Sequence, residues 1–320
     1  MATGWALGNI KIESIMKTKT VIFFFIFSIF FLQCHAQEKV KNDVQNLGIQ
    51  GKVHSVKEIM YQALNKSGGI QKGKERENTF RTFNENLNIN EEISYDSTET
   101  IWNRNIYKYD ASGNLTEKTS FKRGGKLTSK SIINYDKNGN MIEQIWYDSD
   151  LKVSGSSTYK YVKSNKKILE KIFQPKNQLK SKTTFKYDTK GNKCEEIFYN
   201  AEGDTLSRNI FIYDLEILLS EIEYDASGAI FIRNTFQYDQ VGNLIEIKGY
   251  NSNDKVVDHV LTKYDENNNV IESISYDTRV GWANYHKTYS YDYDEQHNWI
   301  KRISFQDEQP HTIWIREIKY

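Results

Sequence analysis

Six glutamates, Glu117, Glu143, Glu195, Glu221, Glu246 and Glu272, stand at the same place in successive copies of one repeating sequence. Two carboxyl groups held roughly 5 to 10 Å apart can hydrolyse a glycosidic bond. A carboxylate present in almost every copy, however, reads as a solvated or lysine-paired row. Tryptophan offers a second chemistry: Trp102, Trp146, Trp282, Trp299 and Trp314 could form a strip on which sugar rings stack. Packing on a covered sheet face is their simpler use. Gly68, Gly73 and Lys74 match a phosphate-loop pattern, but Glu75 occupies the magnesium-binding Ser/Thr position and no helical period follows, so a hairpin turn fits better. Asp136-Lys137-Asn138-Gly139-Asn140 lacks the alternating ligands and closing glutamate of a calcium loop. His286, His297 and His311 lack zinc-ligand spacing. Cys194, on a strand, reads as a small apolar filler. Nucleophile-elbow, H-E-x-x-H, C-x-x-C and G-x-G-x-x-G patterns do not occur. The expectation is therefore of a non-enzymatic protein with no catalytic, metal-binding or cofactor-binding residue.

The elements that would position these side chains are set by the stretch Tyr135-Asp136-Lys137-Asn138-Gly139-Asn140. Close copies start at Tyr109 (with Asp110 and Gly113), Tyr187 (Asp188, Gly191) and Tyr238 (Asp239, Gly242), and looser ones at Phe83, Tyr161, Tyr213, Tyr264 and Tyr293. The leading aromatics are 26 residues apart five times, then 25, 26 and 29. Such a period marks a repeat architecture in which each unit buries its face against its neighbours. A second aromatic follows each leading one by eleven or twelve residues: Phe121, Tyr147, Phe173, Tyr199, Tyr224, Tyr250, Tyr276 and Phe305. Each unit thus reads as two strands and two turns. Asp opens a type I turn and the Gly three residues later supplies the left-handed conformation that returns the chain as a hairpin. Tyr107 with Tyr109, Tyr159 with Tyr161, Phe185 with Tyr187, Phe211 with Tyr213 and Phe236 with Tyr238 lie two apart, on one face of a strand. Stacked over successive hairpins, they would form aromatic ladders.

These signals predict an all-β fold: an elongated, curved antiparallel sheet of tandem hairpins with capping strands at both ends. Two prolines in 320 residues fit long hydrogen-bonded strands. Aromatics, with 21 tyrosines and 16 phenylalanines, compensate for a mean hydropathy of -0.69 that leaves few aliphatics for a thick core. The domain reading is an upstream mis-start over 1–15 ahead of the initiator Met16, a signal peptide over 16–36, a polar lead-in over 37–50, an N-terminal capping hairpin over 51–82, repeats over 83–290 and capping strands over 291–320. The signal peptide rests on the basic start at Met16-Lys17-Thr18-Lys19, the apolar run Val21 to Leu32 and the small-x-small site before Gln37. That run is too short to span a bilayer, which takes about 20 residues, so the exported chain is not expected to span a membrane. A lipid anchor through Cys34 is the rival reading, disfavoured by the large Gln33. With 43 basic and 42 acidic residues, nucleic acid is not an expected partner.

The Tyr-Asp-x-x-Gly-Asn units, followed by apolar residues and Glu as in Asn140-Met141-Ile142-Glu143 and Asn243-Leu244-Ile245-Glu246, resemble the YD repeats of the Rhs and teneurin-like families. The resemblance runs over about residues 83 to 305. It is closer to small secreted bacterial proteins made only of such repeats, whose ends look like Gly51-Lys52-Val53 with Ser55-Val56 and like Asn298-Trp299-Ile300-Lys301-Arg302. Asn here replaces the Arg common after Gly in the large Rhs proteins, whose repeats form a shell around a toxic domain. The resemblance implies a fold more than a function; the signal segment, the repeat and the missing catalytic motifs lead to the expectation of a binding or scaffold surface in the cell envelope or outside the cell, with an envelope or extracellular protein or a glycan as partner. The alternatives are a carbohydrate-binding or carbohydrate-processing protein and a fragment of a toxin-delivery shell.

Overall fold

The computed structural model describes residues 42–277 and 282–320. The segment read as an upstream mis-start, the signal peptide with Cys34 and the lead-in up to residue 41 lie outside the described residues. Twenty strands, β1 to β20, follow in chain order, each antiparallel to the next. β1 (Ser55–Lys66) pairs with β2 (Gly69–Phe83), with Val56 opposite Arg81. It also pairs with β20 (Gln309–Lys319), with Glu58 opposite Arg316. The sheet is therefore a closed barrel, not the elongated open sheet that the repeat suggested, and the terminal segments expected to cap it bond to each other.

The register explains the closure. Tyr107 in β4 (Ile101–Tyr109) pairs with Lys118 in β5 (Leu115–Lys122), and Lys118 with Ser131 in β6 (Lys126–Tyr135). Ser131 is two residues short of Ile133, which stands 26 after Tyr107 in the repeat. Each unit slips in this way, and accumulated stagger with right-handed twist tilts the strands by about 35–45° as closure requires. Closing also removes two edges of unpaired backbone groups.

The expected turns form. Asp136 N–H donates to Asn140 O at 2.9 Å, Gly139 N–H to Asp136 O at 3.0 Å, and Asp136 Oδ1 accepts from Asn138 and Asn140 N–H at 2.8 and 3.0 Å. Gly139 has φ 81°, while Asn165 and Asn268 fill the same place in other units at 58° and 62°. Nothing lies within 4 Å of a Cβ at Gly139, so backbone strain alone decides a substitution there. Gly139→Val is expected to cost about 1–2 kcal/mol and Gly139→Asn much less. Equal denaturation midpoints for the two would refute this account.

Leading tyrosines of several units each bolt their unit to the one before. Tyr135 Oη donates to Leu115 O at 2.9 Å, Tyr161 to Met141 O at 2.9 Å and Tyr187 to Lys167 O at 2.8 Å. The aromatic ladder takes a different form from the expected one. Same-face residues of consecutive units lie two strands apart, roughly 10 Å, too far for rings to meet, and lysines from the intervening strand fill the gap. Lys167 Nζ stands 5.4 Å from the Tyr159 ring and 4.5 Å from that of Phe185, and Lys193 Nζ 4.4 Å from that of Phe211. Each such pairing contributes about 0.5–1 kcal/mol.

A short helix, α1 (Asp43–Asn46), opens the described chain, its Asn42 cap closed by reciprocal bonds with Gln45. Val44, Ile49 and Val53 pack with Val56 and Phe83, forming a small core at the rim that carries the Tyr-Asp turns. Asn298 holds this segment through Gln50, at 2.7 Å from its N–H and 2.9 Å from its carbonyl.

Candidate functional site on the inner wall of the barrel

Alternation gives the wall two faces. One carries Glu58, Arg81, Asn105, Ser157, Phe211 and Asn234, matched through the ladders, and most of these are buried although no second layer covers them. The other carries Lys108, Lys186 and Lys263, whose side chains are 64%, 69% and 71% exposed. The first is the concave, inner face, on which side chains converge; the lead-in core also packs there.

The outer face is a lattice of paired charge. Glu117 pairs with Lys108 and Lys130, each at 2.9 Å. Glu246 pairs with Lys248 and His259, each at 2.8 Å, and Glu272 with His286 at 2.8 Å. Lys182 lies 4.0 Å over the Tyr199 ring and Arg233 4.1 Å over that of Tyr250. Four of the six repeated carboxylates, those of Glu117, Glu195, Glu246 and Glu272, are thus lysine-paired as repetition suggested, whereas Glu143 accepts from Asn134 Nδ2 at 2.9 Å and Glu221 stands apart.

Glu221 lies on the inner wall, in β13 (Ile217–Tyr224). Its turn from β12 (Thr205–Asp214) is shorter than those of the other units, Asp214 pairing directly with Ile217. Glu117 pairs with Lys108, one before its leading tyrosine, whereas Glu221 pairs with Phe211, two before its own. A slip of one residue moves a side chain to the opposite face. Burial, with Glu223 and Glu196 nearby and only partly offset by Lys193, pushes the Glu221 carboxyl up to about 7. The sequence signal for this was the single 25-residue spacing.

Across the seam runs a buried polar chain. Arg316 donates to Glu58 Oε1 from Nε at 3.0 Å and from Nη2 at 2.8 Å, and Arg81 Nη1 donates to Glu58 Oε2. Arg81 Nε continues to Glu92 at 2.7 Å, Asn105 Nδ2 to Glu92 at 3.2 Å, and Ser120 Oγ to Asn105 at 2.7 Å. These residues link β20, β1, β2, β3 (Ile89–Tyr95), β4 and β5. Burial acts to raise the Glu58 carboxyl, but Arg316 and Arg81 outweigh it and hold Glu58 below the usual carboxylate range. None of these residues was singled out from the sequence, because a charge pair between positions 258 apart leaves no local signature.

The tryptophans do not make a strip. Trp102 is 62% exposed and alternates onto the outer face with Arg104. Trp146 lies on the inner wall against Gly155, where an added Cβ would come within 3.2 Å of its ring. Trp299 and Trp314 meet at Arg302, whose guanidinium lies 5.2 and 5.3 Å from their rings. The side chain of Trp282 lies outside the described residues. Cys194, a free thiol, shares the inner wall with Glu196 and Phe198.

The side-chain ion pairs and ring contacts run along the wall, between strands one or two apart, and among the described residues the clustered apolar core is the small one at the rim. Barrels of roughly 16–18 strands already leave an aqueous channel. A polar-lined lumen of this kind can hold a polar or charged guest. Among the described residues no group of His, Cys, Asp and Glu is placed to hold a metal ion, and no helix is long and apolar enough to cross a membrane.

No family model matches the chain, and no curated protein matches it. Among solved structures it is similar to TcdB2-TccC3 without its hypervariable C-terminal region, at 14% identity and TM-score 0.40 over 78% of this chain. The chain spans 15% of that toxin chain. A porin-like protein from Bacteroides uniformis is 11% identical at TM-score 0.37, covering 83% of this chain and 96% of its own. A second, from Bacteroides vulgatus, is 11% identical at TM-score 0.31, with 83% and 98% covered.

Proposed function

We propose that this chain is an exported, non-enzymatic YD-type repeat protein, a water-soluble hollow barrel whose inner wall is its binding surface in the cell envelope or outside the cell. The observation that carries the reading is the chemistry of the two faces. A strand-built membrane span needs an outward apolar band about 25 Å tall. Here the outer wall is crossed by Lys108–Glu117–Lys130 and Lys263–Glu272–His286, and the inner wall by Glu58, Arg81, Asn105 and Ser157. Such charge rows interrupt an apolar band on the outer wall, while a polar inner wall with interspersed aromatics suits a soluble guest. The phased Tyr-Asp units and the segment 16–36 support the family and export parts of the reading.

Two measurements test it. The exported protein is expected to stay in the aqueous phase when a nonionic detergent solution is warmed and separates. Cys194 is expected to react in the folded state with a small, membrane-impermeant maleimide. Partition into detergent would overturn the soluble barrel, and labelling only after denaturation would overturn the hollow one.

A further inference from the structure

Three guanidiniums come close together on the inner wall beside the seam. Arg81, Arg302 and Arg316 face Glu58 and Glu92, and both carboxylates are already engaged by Arg81 and Arg316. Arg302, in β19 (Trp299–Gln306), sits opposite Tyr291 and Trp314 and has no carboxylate partner among the described residues. Its guanidinium is 5.9 Å from the Tyr289 ring, in addition to the two tryptophans. The orphan donors point the same way: Arg302 Nε and Arg316 Nη1 are buried without a hydrogen-bond partner, and Arg316 is 5% exposed. Arg316 in turn lies 3.6 Å over the Trp299 ring, and its burial, with Arg302 and Arg81 nearby, lowers its basicity in spite of Glu58. Glu58, the ring faces and the Tyr291 hydroxyl offset part of the cost of burying the Arg302 and Arg316 guanidiniums, and an anion on the remaining N–H groups would offset more.

We infer that Arg302, with Arg316 behind it and the rings of Trp314 and Tyr289 beside it, is an anion site that takes the carboxylate of a ring-bearing ligand, such as an acidic sugar. This rests on the lumen being the binding surface. A planar guanidinium fork matches a carboxylate through two parallel bonds. The flanking aromatic faces would take the apolar face of the ring that bears it. A phosphate would satisfy the charge but leave the ring faces without a partner, so the aromatic frame is what selects the carboxylated ring.

The experiment titrates the purified protein with glucuronate, glucose and inorganic phosphate at low ionic strength, reading tryptophan fluorescence, because Trp299 and Trp314 flank the site. Glucuronate is expected to give a saturable change that weakens with added salt, with glucose at least tenfold weaker. Arg302→Gln is expected to weaken glucuronate by tenfold or more while its unfolding midpoint without ligand stays at or above that of the parent, since the Glu58 chain is untouched. Lys118→Gln, which removes an inner-wall cation over Tyr107, is expected to bind like the parent. The site is overturned if glucuronate does not bind, if Arg302→Gln binds it equally, or if phosphate binds as tightly. Cys194 labelling that persists in a protein without glucuronate binding would show that this site fails while the hollow barrel stands.

Discussion

Replacing Glu58 with alanine is expected to destabilise the barrel by about 3–5 kcal/mol, the range for removing one partner of a buried charge network. The loss is large because one carboxylate serves two guanidiniums: Arg316 on β20 through Oε1 and Arg81 on β2 through Oε2. Alanine leaves both cations buried and facing each other, at the place where the first and last strands meet. Glu58→Gln keeps an acceptor oxygen and is expected to lose less. The pH dependence has a definite sign. The folded-state carboxyl of Glu58 lies below its ordinary value of 4.5, so its contribution is fully present above about 4.5 and is lost as pH falls through the lower folded value. Denaturant unfolding followed by tryptophan emission measures this, since Trp299 lies against Arg316. A midpoint shift worth less than about 0.5 kcal/mol, the range of ordinary surface substitutions, would show that the backbone ladder alone holds the seam.

The strand-turn-strand unit was legible because its determinants are local. Asp136 and Gly139 make a turn with their own neighbours, and Met141 to Tyr147 alternates over a single strand. The role of the leading tyrosine was half legible: its face followed from period two, but its bond to a carbonyl 20 residues upstream, as from Tyr135 to Leu115, depends on register between strands. Closure was not legible. It follows from a two-residue slip per unit, and no residue encodes that slip by its type; it arises because successive turns are unequally spaced along the chain, Tyr109 to Phe121 by 12 residues and Phe121 to Tyr135 by 14, while the bulge is the same at both kinds of turn. For the same reason Trp146 and Trp102 looked like members of one strip, although their alternation places them on opposite walls. Arg302, Arg316 and Glu58 were invisible as a set, since only the closing of β1 on β20 brings them together.

Glu221→Gln is expected to stabilise the barrel, and by an amount that grows with pH. Among the repeated glutamates, Glu221 alone is moved to the inner wall by its short turn, and there it meets Phe211, Glu223 and Asn234, with Lys193 near but not in a salt bridge with it. Its carboxyl is raised from 4.5 to about 7 in the folded state, so folded protein holds a proton that the unfolded chain releases between those values. Stability therefore falls as pH rises from 4.5 to 7, by about 3 kcal/mol in all at roughly 1.4 kcal/mol per pH unit. Glutamine keeps the shape and the bond from Asn209 but carries no charge. Variant and parent should unfold alike below pH 4.5 and separate by about 3 kcal/mol at pH 8. Glu117 supplies the opposite sign: its bonds to Lys130 and Lys108 hold its carboxyl below the usual range, so Glu117→Gln should remove stability that the parent has above pH 4.5. Unfolding midpoints of the three proteins across pH 4 to 8 decide the matter. Parallel curves for Glu221→Gln and parent would mean that Glu221 is hydrated, and hence that the inner wall near β13 is wetter than its burial in the barrel implies.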